Sequence, residues 1–149
     1  MGKIVDNCVF CRIVRGEIPA TVVLQDELTL AFMDIGSVNP GHMLVAAKPH
    51  VENLQGMDAE LAGAMFRSAA RAARAIEAVF RPAGISVYQA NGAAAGQTVF
   101  HAHIHVLPRW EKGRRLPAPI ARMRSDDLLI RAFPEVLACP ENLPPGEFP

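Results

Sequence analysis

The stretch DAELAGAMFRSAARAARAIEAVFR, residues 58 to 81, has a different period from everything around it. Leu61, Met65, Ala69, Ala72, Ile76 and Phe80 recur at three- and four-residue steps, while Arg67, Arg71, Arg74 and Glu77 fall on other faces. That is the pattern of an amphipathic helix. Asp58 offers a side-chain acceptor at its start, and Pro82 with Gly84 ends it. The alanine-rich middle predicts close packing on whatever lies beneath.

On either side of this helix the pattern is that of strands. Before it, TVVLQ (21 to 25) and LTLAFMDI (28 to 35) are β-branched or apolar runs joined at Asp26-Glu27, which reads as a tight hairpin. Asn39-Pro40-Gly41 breaks the pattern, and HMLVAAKPH (42 to 50) resumes as a third strand ended by Pro49. After it come GISVYQAN (84 to 91), a loop of small residues GAAAGQ (92 to 97), and TVFHAHIHVLP (98 to 108). Three strands, a long helix and two strands predict an α+β domain, an antiparallel sheet of about five strands with one long helix on one face. A short helical turn fits CRIVRGE near the N-terminus. From Arg109 the chain changes character, with Lys112, Arg114 and Arg115, then seven prolines between 117 and 149. Residues 111 to 149 read as a mostly irregular tail of the same single domain, with one helical turn near SDDLLIRAF. There is no internal repeat.

A chain of 149 residues, half apolar and one-fifth charged, suits one soluble domain. Fifteen basic residues balance fifteen acidic ones, so charge gives no pointer to a nucleic acid or a membrane. Lys3 is followed by no apolar signal core, and no run approaches the roughly 18 apolar residues of a membrane span. The expected compartment is the cytoplasm. Three cysteines, Cys8, Cys11 and Cys139, make an odd count. The two-residue gap between the first pair suits metal or redox chemistry better than a disulfide in a reducing cell.

Three of the five histidines, His101, His103 and His105, occupy alternate positions of FHAHIHVLPR, 100 to 109. On a strand they would project from one face, with Phe100, Ala102, Ile104 and Val106 on the other. A solvated polar stripe, a metal site built from all three, and a division of labour between metal and chemistry are the available readings. Alternate Cα atoms on one face stand about 6.5 to 7 Å apart, which favours division, since two neighbours chelate readily and the third reaches elsewhere. A neutral imidazole is a competent nucleophile toward phosphorus, and His103, held from both sides, is best placed for that role. His105 would then contact a phosphate oxygen or pass a proton to the leaving group. The loop GAAAGQT supports a phosphate reading: Gly92 and Gly96 are flexible, and Gln97 and Thr98 add side-chain donors. Cys8-Val9-Phe10-Cys11 has the gap of a zinc knuckle, and His50 with His101 would complete a Cys2His2 set. A reduced pair that packs or does redox work is the competing reading.

His101-Ala102-His103-Ile104-His105-Val106-Leu107 matches the signature His-φ-His-φ-His-φ-φ, with φ apolar, and the chain resembles the histidine triad (HIT) superfamily of nucleotide hydrolases and transferases. CVFCRIVRGEIPA, LAFMDI, NPGHMLVAAKPH and NGAAAGQTVFHAHIHVLPR share in it, in order and spacing, so that residues 1 to 110 read as a HIT domain. The resemblance implies a homodimer that binds a purine nucleoside monophosphate. It implies that His103 attacks the α-phosphorus to form a nucleotidyl-histidine, with His105 at the phosphate and leaving group and His42 in support. It implies Asp34 at the ribose, Ile35, Phe10, Val9, Ile13 and Phe32 around the base, and Asn91, Gly96, Gln97 and Thr98 around the phosphate. It also places a structural zinc on Cys8, Cys11, His50 and His101, leaving Cys139 aside. Substrates within this reading are nucleoside phosphoramidates or, alternatively, dinucleoside polyphosphates. The alternative of another class is a purine-nucleotide-binding regulatory protein with little turnover.

Overall fold

A computed structural model describes residues 5 to 36 and 39 to 111. In chain order these form α1 (Val9–Val14), β1 (Val22–Gln25), β2 (Thr29–Met33), β3 (Met43–Ala47), α2 (Ala59–Phe80), β4 (Gly84–Tyr88) and β5 (His103–Arg109), with single 3-10 turns at Leu54–Gly56 and Ala93–Ala95. The strands make one antiparallel sheet in the order β1-β2-β3-β5-β4. This is the α+β arrangement expected from the alternation of periods. The turn expected near SDDLLIRAF, the rest of the proline-rich tail and Cys139 lie outside the described residues.

The long helix forms where its period predicts. The Asp58 carboxylate accepts the Leu61 N–H at 2.8 Å, and Arg81 closes the other end in the left-handed region at φ 46° before Pro82 stops the chain. Its buried face, Leu61, Met65, Ala69, Ala72, Ile76 and Phe80, packs on Ala31, Met33, Met43, Val45, Ile104 and Val106 of the sheet. Alanines let the helix axis come close. The hairpin turn is tied to it as well: Asp26 accepts the N–H groups of Leu28 and Thr29, and its second oxygen accepts the Ser68 hydroxyl from α2 at 3.1 Å.

The opposite face of the sheet is covered too, and by α1, which the sequence showed only as a short helical turn. Phe10 packs with Leu30, Phe32, Leu44 and Ala46, and half-buried Ile13 and Val14 extend that cluster. The sheet is therefore buried on both sides, which is why β2 and β3 are buried throughout and, apart from Thr29, apolar rather than alternating.

All five strands are shorter than expected: β1 by its first residue, and β2 by Leu28, Asp34 and Ile35. β3 stops at Ala47, ahead of Pro49, and β4 stops at Tyr88 rather than at Asn91. β5 begins only at His103: Ala102 still accepts the Ala47 N–H at 3.1 Å, but β3 and β4 extend no further, so Thr98 to His101 have no ladder to join. Phe100 is 49% exposed, not on the inner face. His101 sits at the strand entrance instead of within it. Among the described residues, no helix is long and apolar enough to cross a membrane.

Candidate active site and metal centre

The triad histidines lie on the α1 side of the sheet, in register with β3: His103 opposite Ala46 and His105 opposite Leu44. They are not a solvated stripe. His101 is fully buried, His103 is buried and His105 half-buried. Phe10 supplies part of the cover, its ring edge-on to His103 at 4.9 Å, to His101 at 5.7 Å and to Phe32 at 5.4 Å.

Backbone carbonyls decide which nitrogen of two of these rings carries the proton, because a carbonyl can only accept. His103 donates from Nδ1 to its neighbour's carbonyl, that of His101, at 2.7 Å. Its Nε2 is left with a lone pair. His101 donates from Nε2 to the Ala47 carbonyl at 2.6 Å, which leaves Nδ1 as the acceptor, 3.3 Å from Cys8 Sγ and 3.6 Å from Cys11 Sγ. One ring thus points a lone pair away from the cysteines, the other toward them. Burial holds His103 below the usual histidine range and His101 down at about 4, so both are neutral at neutral pH.

His105 belongs to a second group. Its Nδ1 lies 3.0 Å from Nε2 of His42, which precedes β3, and His42 Nδ1 lies 3.5 Å from Asp34 Oδ2. Burial depresses His42, with the Asp34 charge opposing, and depresses His105 to about 4, aided by repulsion from His103 and His42. Ligand atoms of Asp34, His42 and His105 lie within 4.8 Å of one another. His42 stands between the other two with one nitrogen facing each, which suits a proton path better than a shared ion.

The expected metal-ligand residues are also brought together. Cys8, Cys11, His50 and His101 offer four donor atoms within 4.8 Å of one another, and Cys11 Sγ is 3.4 Å from His50 Nδ1. Zinc–sulfur and zinc–nitrogen bonds at the tetrahedral angle separate S from N by about 3.5 Å, so these spacings fit the ion. The N-terminus of α1 creates half the set: Cys8 is its N-cap residue, and one helical turn brings Cys11 back beside it, with the Cys11 N–H 3.5 Å from Cys8 Sγ. Burial raises the Cys11 thiol, which makes an uncompensated thiolate there costly. A cleft of about 370 Å³ lined by Asn7, Cys8, His50, Glu52, Thr98 and Phe100, among others, flanks this cluster rather than His103.

The remaining expected residues fall in two places. Asp34 closes β2, its Oδ1 accepting the Gly36 N–H at 2.9 Å, and Ile35 beside it is fully exposed. Phe10 and Phe32 are buried, Val9 is exposed and Ile13 half-buried. In the small-residue loop, the Asn91 side chain accepts the Leu54 N–H at 2.7 Å. Gln97 is buried: its amide accepts the Gly92 N–H at 2.7 Å and donates to the carbonyls of Glu52 at 2.6 Å and Val99 at 3.1 Å. The N–H groups of Ala95, Gly96 and Gln97 also bond within the loop. Gln97 and these amides, read from the sequence as donors to an anion, therefore shape the loop here, and Thr98 lies exposed at its end. One neighbour escaped the sequence reading. Tyr88 stacks on His105, and only the β4–β5 register brings them together.

The model of the HIT domain matches residues 15–112. Protein hit of Bacillus subtilis is 46% identical over 108 residues, 72% of this chain and 74% of that one. The adenosine 5'-monophosphoramidase hnt1 of Schizosaccharomyces pombe is 34% identical over 103 residues, 69% of this chain and 74% of its own. Among solved structures, a zinc-bound histidine triad family protein from Mycobacterium smegmatis superposes with a TM-score of 0.75 at 34% identity, covering 89% of this chain and 96% of the other. Sequence, fold and the paired histidine clusters agree, and the chain belongs to the HIT domain family.

Proposed function

We propose that this protein is a nucleotide hydrolase that cleaves the P–N bond of a purine nucleoside phosphoramidate through a covalent nucleotidyl-histidine on His103. The observation that carries this reading is the His103 ring, tied at Nδ1 to the His101 carbonyl and buried beside His105, which keeps a neutral lone pair on Nε2. Nε2 attacks the α-phosphorus, forming a P–N bond as the bond to the leaving amine breaks. The amine departs with that electron pair and takes a proton from the His42–His105 pair; burial leaves this pair neutral in the free protein, so the extra proton enters with the anionic substrate and the Asp34 carboxylate stabilises it. Water then attacks phosphorus, returns a proton to the pair, and releases AMP with His103 restored. Asp34 and Ile35 at the end of β2 bind the ribose side, Phe10, Phe32, Val9 and Ile13 the base, and Asn91, Gly96, Gln97 and Thr98 hold the loop that borders the phosphate.

Zinc on Cys8, Cys11, His50 and His101 is structural in this reading, since four protein ligands leave no open position. The working state is a cytoplasmic homodimer, for which exposed Phe66 and Val87 supply apolar surface. A second substrate class, dinucleoside polyphosphates, would use the same attack with a phosphate as leaving group.

The test is mass spectrometry on quenched mixtures of the protein with an adenosine phosphoramidate and, separately, a diadenosine polyphosphate. AMP release together with a protein adduct of AMP mass, both lost in His103→Ala, is the expected result. Faster turnover of the polyphosphate would move the substrate assignment. Tight nucleotide binding with neither AMP nor adduct would leave a binding protein and sink the enzyme.

A further inference from the structure

Tyr88, the chain's one tyrosine, has no role in the bond-making and proton transfers proposed above. It ends β4 directly opposite His105 in the antiparallel register, so the two side chains rise from one face as neighbours. Their rings are parallel, with centroids 4.5 Å apart and planes 6° from one another. On its other sides His105 meets His103 at 4.9 Å and His42 at 5.2 Å, both tilted, and among the described residues its ring hydrogen-bonds only to His42, at Nδ1. A ring held by one hydrogen bond can still rock about it. A flat partner at stacking distance removes that freedom.

We propose that Tyr88 is a positioning residue for His105, its ring clamping the imidazole so that Nε2 faces the reacting phosphorus group and screening its outer face from water. The inference rests on the phosphorus-transfer reading above. Tyr88 is 42% exposed, so it forms the outermost layer over a ring that is itself half-buried. The groups facing His105 are His103 on its own strand, His42 ahead of β3, Asp34 at the end of β2, and Tyr88 on β4. The Arg109 charge acts on His42. Of these neighbours only Tyr88 both lies flat on the imidazole and faces solvent.

The experiment compares full-length wild type, Tyr88→Phe and Tyr88→Ala. Histidine ring protons followed by NMR in the ligand-free protein report the clamp without any turnover. Tyr88→Ala should move the His105 ring resonances downfield, as the ring current of the stacked phenol is lost, and raise the His105 titration midpoint toward the ordinary value near 6.5 as water reaches the ring. Tyr88→Phe should keep both where wild type has them. With the adenosine phosphoramidate, Tyr88→Ala should lose roughly tenfold or more in kcat at little change in KM, and Tyr88→Phe should restore it. Unchanged His105 resonances in Tyr88→Ala, a loss confined to KM, or failure of Tyr88→Phe to restore kcat overturns the proposal. Wild type that turns over nothing while the resonances respond as expected removes the phosphorus-transfer reading and retains the clamp.

Discussion

At the scale of single residues, the site works by assigning each imidazole a different proton. His101 and His103 stand two positions apart yet present opposite nitrogens, because Ala47 and His101 supply carbonyls to opposite sides of the two rings. Alternate spacing announces that three histidines are neighbours, but it does not say which atom each one offers. That assignment depends on carbonyls contributed by β3 and by the backbone of the triad itself. Its consequence is a pH profile. Burial depresses His103, so the neutral fraction of this proposed nucleophile stays high as pH falls past the ordinary histidine midpoint of about 6.5 and is lost only below it. The acid limb of kcat/KM for phosphoramidate cleavage should therefore lie below 6.5, with no loss of activity between pH 8 and 6.5 from this group. A limb centred above 7 would show that His103 is not held neutral by burial. His105→Ala should slow turnover by about 10²- to 10⁴-fold, the usual range for a proton-transferring group, while leaving the nucleotidyl adduct observable.

Among the elements, the joint between α2, β3 and β5 sets the position of His42. Gly41 has φ 87°, and a Cβ there would come within 2.8 Å of the Phe80 ring at the end of the helix and 3.1 Å of Pro108 on β5. Phe80 is buried and has nowhere to move. Gly41→Ala combines left-handed strain with overpacking, so it should cost about 2–4 kcal/mol, read as a lower urea midpoint with unchanged slope. A shift under about 0.5 kcal/mol would mean that the joint relaxes. The elements differ in how plainly the sequence shows them. The long helix is visible because 22 residues repeat its period many times, whereas α1 has six, too few to display a face. The start of β5 was hidden for another reason. Phe100 to His105 alternate without interruption, but a strand needs neighbours, and the lengths of β3 and β4 decide where the ladder ends. That early ending is what frees His101 to turn toward the cysteines.

At the scale of the whole molecule, the four proposed metal ligands come from parts of the chain that an ion there would tie together. Cys8 and Cys11 belong to the N-terminal segment, His50 to the turn after β3 and His101 to the entrance of β5. Their meeting was legible from residue types and spacing, since few histidines lie outside the triad. That the same contact seats Phe10 against His103 was not, because it depends on how α1 lies on the second face. A zinc ion here would therefore stabilise the fold and hold the cover of the nucleophile at once. Purified wild type should carry one zinc per chain, and Cys8→Ser/Cys11→Ser none. Stripping the metal with a strong chelator should lower the melting temperature by roughly 10 °C or more, corresponding to a loss of about 2 kcal/mol, and should leave the double variant unaffected. Because α1 backs His103, turnover should fall with the metal even though no zinc ligand touches substrate. A wild-type sample free of metal, folded and unmoved by chelator would reject the site; one that loses zinc and stability but keeps full activity would separate the two roles and leave α1 held by Phe10 and its apolar neighbours alone.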